Sequence, residues 1–271
     1  MTLRSEIKPA LSAKPMEGAN RAHAFRIVAE TADYVVVDKP AFLLVHPTKP
    51  DGPRTLWSEL RNLLAFELAN GGQVSIVNRL DRETSGLVLV AKTAAFARES
   101  GFLMQQKRIA KEYLALVWGW PEWEETTVEA PLARQGAHGP SAIYLKQAIR
   151  DEGLAAMTEF RVAQRFERAT SAGKEFTLVH AVPLTGRTHQ IRVHLASLGH
   201  PIVGDKIYGP DEQLYLQFIE TGWTRELEAS LLLPRHALHA SCLAIGGIGE
   251  WASPLPEDLA EWKSDTSVAS R

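Results

Sequence analysis

The sequence has only one cysteine in 271 residues, and it contains no long hydrophobic run. Cys242 therefore has no partner within the chain for a disulfide, and its apolar surroundings indicate a structural thiol. A membrane-spanning helix needs about 20 consecutive apolar residues, and no run reaches this length. The basic residues near the N-terminus are not followed by the apolar segment of a secretory signal. We therefore expect a cytoplasmic protein that does not contact a membrane.

The chain also lacks the basic surplus that is common in nucleic-acid-binding proteins, because its formal net charge is −2 at pH 7. The charges are unevenly distributed, however. Residues 79–113 carry seven Lys and Arg against four Asp and Glu, and residues 161–209 carry seven against three, whereas residues 210–271 carry four against ten. This pattern predicts a basic face for phosphates and an acidic face turned to water.

The composition is ordinary for a soluble protein, because 45% of the residues are hydrophobic and 23% are charged. A chain of this length can bury a sizeable core. Residues 1–24 have no apolar periodicity and predict a flexible arm on the surface. Residues 25–262 form the predicted domain, and the small polar residues at 263–271 predict a frayed tail.

Short apolar runs separated by turn residues predict more strands than helices along this domain, without the alternation typical of a parallel sheet. The order of elements therefore favours the α+β class. Strands are predicted at 25–30, 34–40, 43–47, 74–77, 87–91, 111–119, 157–162, 176–182 and 238–245, and helices at 55–68, 93–106 and 255–262. A further helix is capped by Thr185 or Thr188 and stopped by Gly199. Loops and little chemistry are predicted at 120–152, and an exposed helix or excursion at 210–230.

Two of the predicted strands are separated by the segment Asn-Arg-Leu-Asp-Arg-Glu-Thr-Ser-Gly (78–86), which puts Asp81 on a turn between them. Ser85 and Gly86 suit the end of such a turn, since glycine tolerates positive φ and a serine hydroxyl can satisfy free backbone groups. A carboxylate held there is rigid and can face a cleft. The alternative is an Asx-turn in which Asp81 serves only the backbone, with the neighbouring arginines as solvated charges.

Three histidines at or near the helix predicted before Gly199 raise the question of a zinc site. His189, His194 and His200 are spaced by five and six residues. Neither spacing puts a pair on one helical face, as an i, i+4 site would require. We therefore predict no metal.

The polar segments together resemble the motifs of RluA-type pseudouridine synthases. The family's first motif, His-Arg-Leu-Asp-x-x-Thr-Ser-Gly, is matched at 78–86, with Asn78 in place of His. Further matches are Val-Val-Asp-Lys-Pro (36–40), Val-His-Pro (45–47), Lys-x-Tyr-x-Ala-x-Val-x-Gly (111–119), Gly-Arg-Thr-His-Gln-Ile-Arg-x-His (186–194) and Gly-His-Pro-Ile-x-Gly-Asp-x-x-Tyr-Gly (199–209).

The resemblance implies an α+β fold with a long, mixed, largely antiparallel sheet flanked by helices and an active-site cleft across the sheet. The implied reaction is isomerisation of specific uridines in rRNA or tRNA to pseudouridine. The target base would be flipped out, because stacking shields its reacting atoms. We expect a monomer that binds an RNA stem-loop and needs no metal or small-molecule cofactor. Some relatives carry an N-terminal RNA-binding domain, which the residues before Phe25 are too few to hold, so the domain is expected to find its RNA unaided.

The resemblance also assigns site residues. Asp81 would be the catalytic carboxylate, acting as nucleophile or charge stabiliser at the sugar or the base. Tyr113 would stack on the flipped uracil and serve as a general base late in the reaction. Arg192 would lie within about 4–6 Å of Asp81 and lower its pKa. RNA contacts are implied for three further cations, Arg79, Arg187 and Lys206.

Two other functions are compatible with these residues. One is a non-catalytic RNA-binding or RNA-folding protein of the same fold, against which the presence of Asp81, Tyr113 and Arg192 argues. The other is a carboxylate-dependent hydrolase in which His189 and Asp81 act as acid and base, and incorporation of water into the product would reveal it.

Overall fold

A computed structural model describes residues 24–49 and 52–264. Most of the predicted arm (1–24) and of the predicted tail (263–271) lies outside the described residues. Within these ranges the strands are β1 (Arg26–Glu30), β2 (Tyr34–Lys39), β3 (Ser75–Ile76), β4 (Ser85–Ala91), β5 (Ile109–Trp118), β6 (Glu125–Glu129), β7 (Leu132–Arg134), β8 (Gln147–Ile149), β9 (Met157–Glu167), β10 (Glu175–Pro183), β11 (Leu238–Ile245) and β12 (Gly249–Ala252). The α-helices are α1 (Leu56–Leu63), α2 (Ala65–Ala69), α3 (Ala94–Gln105), α4 (Gln190–Ser197), α5 (Gln213–Thr221), α6 (Arg225–Leu231) and α7 (Glu257–Ser264).

Most of the described strands belong to one sheet with the order β1-β2-β4-β11-β5-β10-β9-β6, in which β3 adds to β4 and β12 adds to β11. β4 and β11 run parallel, and the other neighbouring strands of this sheet are antiparallel. β7 and β8 form a separate two-stranded sheet. The predicted α+β fold with a mixed, largely antiparallel sheet is therefore confirmed.

The centre of the sheet is buried on both faces, which explains why β4 is a continuous apolar run rather than an alternating one. All seven residues of β4 are buried. Val88 and Val90 belong to a core cluster that includes buried residues of α1, α4 and α7, whereas Leu87 and Leu89 pack with buried residues of α3. Within the described ranges, no helix is both long and apolar enough to cross a membrane.

The predicted strand at 43–47 is wrong. The carbonyl groups of Leu44 and Val45 instead accept hydrogen bonds from the backbone N–H groups of Leu56 (2.8 Å) and Trp57 (3.0 Å), in the first turn of α1. The first N–H groups of a helix have no partner inside the helix, so a nearby extended segment can satisfy them. The predicted helix at 55–68 forms, but it is interrupted at Leu64 between α1 and α2.

Gly86 lies where β4 passes closest to β11. Its φ is +111°, and a Cβ atom at this position would lie 2.2 Å from the carbonyl oxygen of Ala240. Only glycine fits both the backbone conformation and the close approach of the strands. The loop that carries Asp81 enters β4 directly before this contact.

Gly86→Ala is expected to destabilise the protein by about 3 kcal/mol or more, because it combines a strained backbone with an overlap against a strand. The matched control is Gly101→Ala in α3, where an added Cβ meets nothing within 4 Å. Alanine there is expected to stabilise the helix by about 0.5–1 kcal/mol. Urea unfolding of both variants measures the difference, and equal midpoints would show that the close approach is absent.

Candidate active site

The loop that carries Asp81 connects β3 to β4 and is fixed by a buried lysine. Lys39, at the end of β2, is fully buried. Its ammonium group donates hydrogen bonds to the backbone carbonyls of Pro40 (2.8 Å), Leu43 (3.0 Å) and Arg82 (3.2 Å). These contacts use all three N–H donors of the side chain and hold the residue that follows Asp81.

The rest of this loop is held by β11, by the segment that precedes β11 and by the segment that follows α4. The backbone carbonyl of Asp81 accepts a hydrogen bond from the backbone N–H of Thr84 (3.2 Å), which closes the turn. The side chains at positions 83, 84 and 85 each have a buried partner. Lys206 donates to Glu83 (2.8 Å), His236 contacts the hydroxyl of Thr84 (2.7 Å), and His239 contacts the hydroxyl of Ser85 (3.0 Å). The turn is therefore rigid, as the sequence predicted.

Arg192 projects from α4 and bridges two carboxylates. Its Nε and Nη2 donate to Oδ2 (2.6 Å) and Oδ1 (2.9 Å) of Asp205, while Nη1 donates to Oδ2 of Asp81 (2.9 Å). The predicted pairing of Arg192 with Asp81 is confirmed. Asp205 is completely buried, whereas the side chain of Asp81 is 31% exposed. The buried carboxylate of Asp205 thus fixes the guanidinium group, which donates one further N–H to the partly exposed carboxylate of Asp81.

The electrostatic environment keeps Asp81 ionised. Burial alone would raise the pKa of its carboxyl group. The charge and hydrogen bond of Arg192, together with His189 and His236, outweigh this effect and hold the pKa below its ordinary value. The same arginine lowers the pKa of Asp205, against the opposing effect of burial. The pKa of Arg192 is raised, because its two carboxylate partners outweigh the desolvation of its own charge. The site is therefore a buried cation shared between two anions.

Tyr113 lies on β5, opposite Ala240 of β11 and Ala181 of β10. It is 8% exposed. Burial, and then the negative charge of Asp81, raise the pKa of its hydroxyl group. Tyr113 therefore carries its proton at neutral pH. The predicted stacking role does not depend on this proton, whereas the predicted general-base role requires the hydroxyl group to lose it first.

The loop before α4 brings a histidine to the same carboxylate. His189 adopts a left-handed backbone conformation (φ 56°). Its Nε2 lies 3.8 Å from Oδ2 of Asp81, and its Nδ1 lies 2.8 Å from the hydroxyl of Tyr208. That hydroxyl also accepts a hydrogen bond from the backbone N–H of Gln147 (2.8 Å). The segment 120–152, expected to carry little chemistry, thus supports the site through the hairpin of β7 and β8.

The three predicted RNA-binding cations differ in their surroundings. Arg79 and Arg187 are exposed and lie close in sequence to Asp81 and His189 respectively. Lys206 is 3% exposed, and its ammonium group donates to Glu83 and to the carbonyl of Pro234 (2.7 Å). This buried ammonium group already donates to a carboxylate and a carbonyl and lies over the ring of Phe218 (4.8 Å), so this geometry argues against the predicted RNA contact of Lys206.

Asn78, which stands where the family has histidine, supports the loop from the other side. Its side-chain amide donates to the carbonyl of Leu87 (3.1 Å) and accepts from the backbone N–H of Leu89 (2.8 Å). Both ends of the amide are therefore used to tie the start of the loop to β4. A polar side chain other than histidine thus supports the loop at this position.

The other two histidines considered for zinc make separate contacts. Nδ1 of His194 lies 2.8 Å from the hydroxyl of Thr158, and Nδ1 of His200 lies 2.9 Å from the carbonyl of Trp118. Among the described residues, no group of three or more potential ligands could hold a metal ion.

Several residues of the site were not singled out from the sequence. Asp205 and Tyr208 lie in the segment Gly-Asp-x-x-Tyr-Gly, and Lys39 lies in Asp-Lys-Pro, so the motifs contained them without indicating their roles. His236 lies outside the motifs. A buried polar side chain gives no periodic signal, and its partner is visible only once the fold brings distant segments together.

Lys39 predicts a measurable dependence of stability on pH. Burial, and then the charge of Arg235, lower its pKa to about 7, whereas an unfolded lysine has a pKa of about 10.4. Between these values the unfolded chain binds a proton that the folded protein has released, so the stability that Lys39 contributes rises with pH.

Lys39→Met is expected to remove this rise. The free energy of unfolding of the wild-type protein relative to Lys39→Met should increase by about 1 kcal/mol per pH unit between pH 8 and 10. Urea unfolding of both proteins across this range measures the difference. If the free energies of unfolding of the two proteins change equally with pH, Lys39 stays charged in the folded state.

The chain is similar in sequence to known proteins. A family model described as RNA pseudouridylate synthase matches residues 33–197. A curated relative from Nitrosomonas europaea, named "Ribosomal large subunit pseudouridine synthase D", is 37% identical over 87% of this chain, which spans 63% of that relative's length. A relative of the same name from Pseudomonas aeruginosa is 35% identical over 86% of this chain and 69% of its own.

Solved structures are similar as well. The structure titled "Human RNA Pseudouridylate Synthase Domain Containing 1" has a TM-score of 0.63 and is 27% identical, covering 88% of this chain and 86% of its own. That of "Human RNA Pseudouridylate Synthase Domain Containing 4" has a TM-score of 0.65 at 23% identity, covering 87% and 90%. The second likeness concerns the fold alone.

Proposed function

The chain belongs to the RNA pseudouridylate synthase family, and we propose that it converts specific uridines of RNA to pseudouridine, with Asp81 as the catalytic carboxylate. The observation that supports this best is the contact of Asp81 with Arg192. A partly exposed carboxylate is kept ionised by an arginine whose other N–H groups are fixed by buried Asp205. Such an anion can act on a substrate without first losing a proton.

In the proposed reaction the uridine is flipped out of the RNA and the bond between N1 of uracil and C1′ of ribose breaks. The uracil turns, and C5 then bonds to C1′. C5 loses its proton and N1 takes one up, so the product is an isomer of the substrate and no water is consumed. Asp81 supplies the anion at the breaking bond, and Tyr113 supplies an aromatic face for the uracil.

We infer that the substrate is ribosomal RNA of the large subunit, since the relatives from Nitrosomonas europaea and Pseudomonas aeruginosa carry that substrate in their names. A transfer RNA is the second candidate. One chain supplies Asp81, Tyr113 and Arg192, which supports a monomer. A protein that acts on ribosomal RNA is expected to work in the cytoplasm.

The two other functions are less well supported. A hydrolase would need His189 as a protonated acid, but burial, and then the charge of Arg192, lower its pKa to about 4, so it is neutral at pH 7. A non-catalytic protein does not need a partly exposed anion at Asp81. Holding this anion through the buried pair of Arg192 and Asp205 costs the desolvation of both charges of the pair, which RNA binding alone does not require.

The experiment that tests the reaction uses RNA labelled with tritium at C5 of uridine. Isomerisation releases the tritium to water and leaves the RNA chain and its base count unchanged. A hydrolase would instead release labelled uracil. If neither tritiated water nor labelled uracil is released, the protein binds RNA without turnover.

RNA binding should weaken with salt in spite of the net negative charge. The exposed arginines 79, 82 and 187 are available for phosphates, and about three contacts give a slope of log K against log salt near −2 to −3. Arg187→Gln should reduce the slope by about one, whereas Arg108→Gln, beside Gly246 at the far end of β11, should not. Filter binding between low and moderate salt measures this, and a flat curve would place the RNA elsewhere.

A further inference from the structure

The two oxygens of the Asp81 carboxylate are in different surroundings. Oδ2 accepts the hydrogen bond from Arg192 and also faces Nε2 of His189. Among the described residues, no group donates a hydrogen bond to Oδ1. The protein therefore engages one oxygen and leaves the other for a substrate.

The proton on His189 can be placed from its second contact. The hydroxyl of Tyr208 accepts the backbone N–H of Gln147, so its own hydrogen is free to point at Nδ1 of His189. Burial, and to a lesser degree Asp205 and Asp81, raise the pKa of Tyr208, so this hydrogen is retained. An imidazole that accepts at Nδ1 carries its hydrogen on Nε2. This N–H is then directed at Asp81.

We propose that His189 is a positioning residue, whose Nε2–H holds Oδ2 of Asp81 and so presents Oδ1 to the uridine. The inference rests on the proposed function. The separation of 3.8 Å is longer than a hydrogen bond in the free protein. Hydrogen bonds of catalytic groups are often long without substrate and shorten in the complex.

A neutral donor suits this position. Imidazolium would bring a second full charge beside Arg192 and would hold the Asp81 anion in an ion pair. Neutral imidazole orients the carboxylate and leaves its charge for the substrate. The charged and titratable groups around the ring are Arg192, Asp81, Asp205 and Tyr208, of which the two carboxylates favour protonation and Arg192 opposes it. Tyr208 is itself fixed, because its ring lies against Arg192 (5.0 Å from the guanidinium carbon) and its backbone N–H donates to Asp205 (3.1 Å).

Two substitutions distinguish the donor from the backbone role of His189. Asparagine tolerates the left-handed conformation, but its amide is too short to replace Nε2. Glutamine is less suited to that conformation, but its amide nitrogen reaches the position of Nε2. The proposal predicts that His189→Gln retains more activity than His189→Asn, and that His189→Ala loses about 10–100-fold in kcat with little change in KM. Higher activity in His189→Asn than in His189→Gln would overturn it.

A nuclear magnetic resonance experiment tests the proton position without any substrate. The ¹⁵N spectrum of the full-length protein should show His189 protonated at Nε2, with the signal assigned by its absence from His189→Gln. Tyr208→Phe should leave a mixture of both tautomers and lower kcat. A wild-type signal protonated at Nδ1 overturns the inference and leaves the proposed function standing. A wild-type protein that releases no tritium from labelled RNA overturns the proposed function instead.

Discussion

Asp81→Asn is expected to abolish pseudouridine formation, with a rate at least about a thousandfold below that of the wild-type protein. Asparagine has the shape of aspartate and can still accept the N–H of Arg192, but it has no negative charge. The contacts that fix the loop use the backbone of Asp81 and the side chains after it, so the loop should keep its conformation. RNA binding should remain within about threefold, which is less than 1 kcal/mol.

The measurement is single-turnover tritium release, with binding measured separately. Glu220→Gln on the exposed face of α5 makes the same change of charge away from the site and should be as active as the wild type. Residual turnover of Asp81→Asn within about tenfold of the wild type, or about 1.4 kcal/mol of barrier, would remove Asp81 from the chemistry.

Arg192→Met should have the second largest effect, a loss of about 100-fold or more at neutral pH. Without the cation, the largest effect that opposes burial is lost, and the pKa of Asp81 should rise. Since the anion is the active form, the acid limb of the pH–rate profile should move to higher pH. Arg192→Lys should recover part of the activity, because an ammonium group keeps the charge without the planar geometry that serves two carboxylates.

Arg192→Met also leaves Asp205 buried without its partner, which is expected to cost about 3–5 kcal/mol of stability. The double variant Arg192→Met with Asp205→Asn removes both charges of that buried pair and should fold more stably than the single variant. It should still show the shifted acid limb, since Asp81 has lost its cation in both. An unshifted profile in the double variant would contradict the assigned role of Arg192.

Much of the fold followed from local patterns. β4 was predictable as a short apolar run beside a polar turn, and α1 as the start of a segment with apolar residues at helical spacing. The prediction failed where a non-local contact decided the structure. Leu44 and Val45 resemble a strand, but their carbonyl groups serve the N-terminus of α1. β12, with the sequence Gly-Glu-Trp-Ala, is extended because it pairs with β11.

The same division applies to the site. The pairing of Asp81 with Arg192 was predictable, because both residues lie in motifs whose members meet in the family. Lys39 was not recognised as the lysine that fixes the loop, since its three partners are backbone carbonyls, which any sequence has. Lys206 was assigned to phosphate as a cation in a basic segment, and its burial against Glu83 depends on contacts across more than 100 residues.

The most direct test of the central claim is to map pseudouridine by mass spectrometry in ribosomal RNA that lacks the modification, after incubation with the wild-type protein or with Asp81→Asn. New pseudouridine is expected at one or a few defined uridines of the large-subunit RNA with the wild-type protein, and none with Asp81→Asn. RNA that remains unmodified by the wild type, or that is modified equally by both proteins, would contradict the central claim.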